Sequence, residues 1–160
     1  MNSNTSEPAG TAAAVSAALA ECRGVDGALL PVLHAVQRRL GHIPRDAIPA
    51  IAKAMNLSRA EVHGVVSYYH HFRSEPPGSC VVQVCRAEAC QAMGADALLA
   101  HARARTGCSA AEPDSADGRF TVEPVYCLGL CASSPAALVG ESLHARLTPQ
   151  RLDSLLDGAS

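Results

Sequence analysis

Tryptophan is absent from the 160 residues, and two Phe and three Tyr make up the whole aromatic complement. With so few large rings an aromatic-rich β-sandwich core is excluded, and 30 alanines point instead to helices packed closely on small side chains. Net charge is small too. Thirteen Lys and Arg against fifteen Asp and Glu leave −2, which rules out the basic footprint of a nucleic-acid binder. No apolar run approaches the roughly 18 residues of a membrane span. The first ten residues contain no Lys or Arg, the wrong start for a secretory signal, so a cytoplasmic location with reduced thiols is expected. The glycines form no G-x-G-x-x-G after a strand and no Walker loop, so no dinucleotide or nucleotide-phosphate site is expected in this chain.

What is present is cysteine, seven of them. A chain of this length buries roughly two thirds of its unfolded surface, so neither a metal nor a disulfide is needed merely to fold. The thiols call for a chemical explanation.

The expected architecture is α+β: an N-terminal helical bundle followed by a thioredoxin-like α/β domain. Two prolines and a glycine in Ser74-Glu75-Pro76-Pro77-Gly78-Ser79 end any helix and divide the chain. Residues 1–24 are expected to be flexible or frayed, 25–74 to form the bundle, 75–79 the linker and 80–160 the second domain. Within the bundle, Leu29, Val32, Leu33, Val36 and Leu40 recur at helical spacing, with Gly41 as C-terminal cap. A second helix is expected over roughly Asp46 to Met55, with Pro49 tolerated in the first turn. Ser58 and Glu61 form a capping box for a third, running to about Tyr69. Beyond the linker, Val81-Val82-Gln83-Val84 reads as a strand leading into Cys85, and a helix is expected from about Gln91 to Arg105, closed by Gly107. Asp117-Gly118 turns into a strand at Arg119 to Val122. A hairpin is expected around Gly140-Glu141, and Thr148 with Pro149 starts a last helix.

Two cysteine pairs carry the chemistry. Cys85 and Cys90 form a C-x4-C loop after a strand, and Cys127 and Cys131 form a C-x3-C loop between strands, with 36 residues separating the pairs. Both loops leave strands of one domain, so four thiolates can converge at one sheet edge. Structural zinc loops usually use tighter C-x2-C knuckles. A [2Fe-2S] rhomb has two irons that each take two cysteines, so two separated pairs match its shape. With four thiolates such a cluster carries −2, and −3 once reduced, a charge that helix N-terminal amides beside Cys90, backbone N–H groups near Gly129 and the cation of Arg86 can offset. Arg86 reads equally as an exposed loop arginine, and Glu88 as a solvated acid. A zinc-binding interaction module and a disulfide oxidoreductase are the alternatives, though redox dithiols prefer C-x-x-C.

Cys22, Cys80 and Cys108 lack a partner at ligand spacing and read as ordinary small residues. Consecutive helical residues point about 100° apart, so His70-His71 cannot chelate one ion well. His34, His42, His63, His101 and His144 are scattered without ligand spacing.

The segments VVQVCRAEAC and PVYCLGLCASSPA resemble the thioredoxin-like [2Fe-2S] ferredoxin family, which includes the 24 kDa subunit of NADH:quinone oxidoreductase and the gamma subunit of NAD-dependent formate dehydrogenase. LLPVLHAVQRRLGHIP and LSRAEVHGVVSYYHHF resemble its helical N-terminal part, and the likeness covers about residues 25–157. VHGVVSYYHHFR looks most like the formate dehydrogenase gamma subunits. The resemblance implies a non-catalytic electron-transfer subunit carrying a [2Fe-2S] cluster on Cys85, Cys90, Cys127 and Cys131, beside a partner subunit that binds FMN and NAD. One departure follows the last ligand: Ser133 and Ser134 occupy a stretch that often holds a further cysteine, which bears on hydrogen bonding and hence potential. The aromatic run Tyr68 to Arg73, with three of the five aromatic residues, is expected to help dock that partner or else to pack internally.

Overall fold

Local capping chemistry sets several helix ends in the N-terminal half. The structure, a computed structural model, describes the backbone of residues 8–159 and the side chains of residues 10–159, in two units that divide between Pro76 and Pro77. In the first unit α1 spans Pro8–Glu21, α2 Leu29–Leu40, α3 Ala47–Met55 and α4 Arg59–Tyr68. Gly41 ends α2 in the left-handed region at φ 77° and returns its N–H to the Gln37 carbonyl. At the start of α4, Ser58 Oγ accepts from the Glu61 N–H at 3.1 Å and the Glu61 carboxylate accepts from the Ser58 N–H at 2.8 Å. Leu33 and Val36 of α2, Ile43, Ile51 of α3 and Val62 of α4 are fully enclosed in one core. Burying each such side chain contributes about 1.5–3 kcal/mol.

The N-terminal segment departs from expectation. Of residues 1–24, expected to be frayed, the stretch Pro8–Glu21 is helical, and its Val15 and Ala18, with Cys22 just after it, lie in the same core. Alanine's high helix propensity and small volume let α1 approach α2 and α3 closely without an apolar stripe of large residues to announce it. The expectation for residues 1–7 falls outside the described residues. After α4, the buried Gln37 side chain donates to the His71 carbonyl and accepts from the Arg73 N–H, both at 2.8 Å. That clamp turns Phe72 into the core, while Tyr68 and Tyr69 remain exposed.

The second unit holds a four-stranded sheet in the order β2-β1-β3-β4, with β1 at Cys80–Cys85, β2 at Phe120–Val125, β3 at Ala137–Val139 and β4 at Ser142–His144. β1 runs parallel to β2 and antiparallel to β3. Pro124 is tolerated because β2 is an edge strand. Three helices complete the unit: α5 at Glu88–Ala92, α6 at Ala95–Thr106 and α7 at Pro149–Gly158. Leu98, Leu99 and Ala102 of α6 and Leu152 and Leu156 of α7 share a core with Val82, Val84 and Val122 of the sheet. As the sequence indicates, Thr148 Oγ1 caps α7 and Pro149 occupies its first turn.

The single helix expected from Gln91 to Arg105 is two. Gly94 stands in the left-handed region at φ 90°, which breaks the hydrogen-bond ladder and gives α6 its own start. Cys90 consequently lies inside the short α5, not just ahead of a long helix.

Gly78 is a point of close approach, since a Cβ there would lie 2.6 Å from the Phe120 carbonyl carbon and 2.9 Å from the Phe120 nitrogen. Its N–H also donates to Thr121 Oγ1 at 2.7 Å. Gly78→Ala should therefore destabilise the second unit by about 1–3 kcal/mol through backbone overpacking, read as a lower urea midpoint. An unchanged midpoint would show that the chain ahead of β1 shifts freely.

Candidate metal centre

Parallel pairing of β1 with β2 brings the cysteine loops together. Cys85, the last residue of β1, is paired with Val125, the last of β2, so the loops to Cys90 and Cys127 leave the sheet at the same edge. The Arg86 N–H donates to the Val125 carbonyl at 2.7 Å, and the Cys85 N–H donates to the Ala136 carbonyl at 3.0 Å, binding the two loops to each other. Cys85 and Cys90 are buried among Ala95, Ala136, Leu128 and Leu130, while Cys127 and Cys131 are exposed.

The sulfurs stand as two interacting pairs, Cys85 with Cys90 and Cys127 with Cys131. Among the described residues no three His, Cys, Asp or Glu side chains converge closely enough to enclose a single ion. Burial pushes the Cys85 thiol up, but the Ala87 N–H, the Cys90 side chain and the N–H groups of Leu128 and Cys127 outweigh it and hold the group below its ordinary range. Cys131 is pushed up, first by the charge on Cys127, then by lost hydration, its hydrogen bond with Cys127 and the charges of Cys90 and Cys85. Four thiolates brought to one edge would repel one another. A cationic guest relieves that repulsion, so the donor set fits iron.

Backbone geometry is arranged to the same end. Cys127 has φ 100°, a region that costs a non-glycine residue about 1–3 kcal/mol and recurs at functional sites. Gly129, at φ 76°, turns its N–H onto Cys127 Sγ at 3.4 Å. Arg86 is paired instead of free: its guanidinium donates to Asp96 at 2.6 Å, and Asp96 foremost, with Tyr126 after it, raises its pKa. Glu88 is exposed. Asp96, Tyr126 and the amides of Ala87 and Leu128 were not legible as site groups, because nothing in local spacing marks an acid one helix away or a backbone N–H. The adjacency of Tyr126 to Cys127 was the one available signal. The other three cysteines are buried in hydrophobic cores, Cys22 in the first unit and Cys80 and Cys108 in the second.

A protein-family model described as thioredoxin-like [2Fe-2S] ferredoxin matches residues 15–160. The chain belongs to that family. Its cofactor is a [2Fe-2S] cluster. An NADH-quinone oxidoreductase subunit of Rhizobium meliloti is 33% identical over 143 residues, covering 89% of this ferredoxin and 84% of the relative. The NADP-reducing hydrogenase subunit HndA of Solidesulfovibrio fructosivorans is 32% identical, covering 82% and 76%. Among solved structures, an NAD+-reducing [NiFe]-hydrogenase in its H2-reduced state aligns with TM-score 0.71 and 26% identity over 82% of this chain. The ferredoxin spans only 22% of that hydrogenase chain. The combined helices and four-stranded sheet are thus a thioredoxin-like [2Fe-2S] fold.

Proposed function

We propose that Cys85, Cys90, Cys127 and Cys131 hold the [2Fe-2S] cluster and that this chain is a one-electron-transfer subunit of an NAD-linked oxidoreductase of the NADH:quinone oxidoreductase or NAD-reducing hydrogenase type. The observation that carries the reading is that the two cysteine pairs leave the ends of β1 and β2 at one sheet edge, with the Gly129 N–H turned onto Cys127 Sγ. When bound, the cluster accepts and returns one electron at a time. The chain's own part is to hold it: buried Cys85 and Cys90 fix one side, exposed Cys127 and Cys131 the other, and backbone donors compensate negative sulfur. Arg86, next in sequence to Cys85, is anchored by its ion pair with Asp96.

Within that type, VHGVVSYYHHFR favours the gamma subunit of a cytoplasmic NAD-dependent formate dehydrogenase, working beside a subunit that binds FMN and NAD. The alternative is a 24 kDa-type subunit of NADH:quinone oxidoreductase or of an NAD-linked hydrogenase, the kinds of protein its relatives are named for. The four N-terminal helices serve this reading as a bundle preceding the cluster-bearing unit. Among the described residues no helix is long and apolar enough to cross a membrane.

Purified after iron-replete anaerobic expression, the chain should contain about two irons and two acid-labile sulfides and become paramagnetic on one-electron reduction. Stoichiometric zinc without sulfide would overturn the reading in favour of an interaction module.

A further inference from the structure

We propose that Ser134 is a positioning residue that sets the cluster's potential by directing its hydroxyl proton to Cys90 Sγ, an inference that rests on Cys90 being a ligand. Ser134 lies between the two cysteine pairs. With Cys90 as a thiol, Cys90 Sγ–H donates to Ser134 Oγ at 3.6 Å, and Ser134 Oγ–H donates to the Cys131 carbonyl at 2.8 Å. The hydroxyl thus joins a sulfur of the first pair to the backbone of the second.

A hydroxyl has one proton and two lone pairs. Once Cys90 binds metal its own proton is gone, and the arrangement of the thiol state would leave a serine lone pair facing negative sulfur. Rotation about the Cβ–Oγ bond removes that conflict by pointing the proton at Cys90. The two claimants on the proton are unequal. Cys90 is 2% exposed, so water is a poor substitute donor there, whereas the Cys131 carbonyl belongs to an exposed residue. A hydrogen bond to an ionised acceptor is also roughly twice as strong as one between neutral groups. Reduction adds a further negative charge to the cluster and strengthens the bond, so the hydroxyl favours the reduced form and raises the potential. Ser134 has φ −63° and ψ 154°, an extended conformation open to β-branched side chains, which permits a controlled substitution.

The test uses the full chain and compares Ser134→Thr with Ser134→Val, nearly equal in shape and different in the hydroxyl. Iron and sulfide content is measured for each variant, and the potential is read by EPR-monitored redox titration. Ser134→Val should shift the potential to more negative values and change the anisotropy of the reduced-state signal. Ser134→Thr and the neighbouring Ser133→Ala should stay near wild type. Should Ser134→Val fail to load, Ser134→Ala carries the same expected negative shift without added bulk. Equal potentials for the Thr and Val variants, or a wild-type potential in a loaded Val or Ala variant, would overturn the role of Ser134. Wild-type chain lacking iron and sulfide would instead undo the cluster reading beneath it.

Discussion

Replacing Cys85, Cys90, Cys127 or Cys131 singly by alanine should abolish stable [2Fe-2S] binding, while Cys22→Ala, Cys80→Ala and Cys108→Ala should keep it. The contrast follows from position. The four proposed ligands meet at the edge where β1 and β2 end, and each iron of the cluster needs two thiolates, so losing one sulfur leaves an incomplete coordination shell. Cys80 begins the six-residue β1 that Cys85 ends and pairs with Phe120, and Cys108 Sγ lies 3.9 Å from the Phe120 carbonyl, both within a core of Val and Leu. Burial pushes the Cys80 thiol up, against a smaller opposing hydrogen bond from the Gly140 N–H, which keeps it protonated and a poor ligand. Iron and sulfide analysis with visible absorption gives the readout, and far-UV circular dichroism separates cluster loss from unfolding. If a core cysteine proved essential while one of the four proved dispensable, the ligand assignment would fall.

Local chemistry carried the parts of this fold that a short window of residues determines. The Ser58 and Glu61 capping box, the terminal glycines Gly41 and Gly107, and the Thr148-Pro149 start of α7 are each set by side chains within a turn of the helix end, and each is legible in the sequence. The alanine-rich α1 is not, because small residues on every side give no apolar stripe even though Ala18 is fully buried. The break at Gly94 is hidden for another reason. A glycine inside a helical pattern is compatible with continuation, and here the φ of 90° decides the issue.

The candidate site was legible in its cysteine spacing and not in the groups around those cysteines. Cysteine spacing points to the metal chemistry, but the convergence of the loops depends on parallel pairing of β1 with β2, a non-local event no spacing reports. Ser134 meets Cys90 across 44 residues and Asp96 meets Arg86 across 10, so neither contact is visible in local spacing. The aromatic run beginning at Tyr68 divided in a way composition could not foresee. Phe72 is drawn inward by the Gln37 clamp, 4.9 Å from the His34 ring, and the two tyrosines before it stay outside.

NADH added to the isolated chain should leave the cluster oxidised and reduce no dye, and, on the proposed function, adding a flavin- and NAD-binding partner subunit should let NADH reduce it. The reason is electron count. NADH delivers a hydride, two electrons together, whereas a [2Fe-2S] cluster accepts one, so a flavin must divide the pair before the cluster can take its share. The exposed tyrosines are the proposed docking surface for such a partner. Tyr68 and Tyr69 are 76% and 44% exposed, pack edge-on at 5.2 Å, and line a groove with Leu29, Leu57, Gly64 and Val65. Rigid aromatic side chains beside apolar surface are the residues that dominate binding energy at interface centres. The double substitution Tyr68→Ala, Tyr69→Ala should weaken partner binding by about 30-fold or more, equivalent to about 2 kcal/mol, with cluster content unchanged. Phe72→Ala should act differently, lowering the stability of the first unit by about 3–5 kcal/mol because that ring is part of its core. Titration calorimetry with the partner and urea denaturation of each variant separate the two effects. Full affinity in the double tyrosine variant would remove the docking role, and NADH oxidation by the isolated chain would refute its assignment as a carrier.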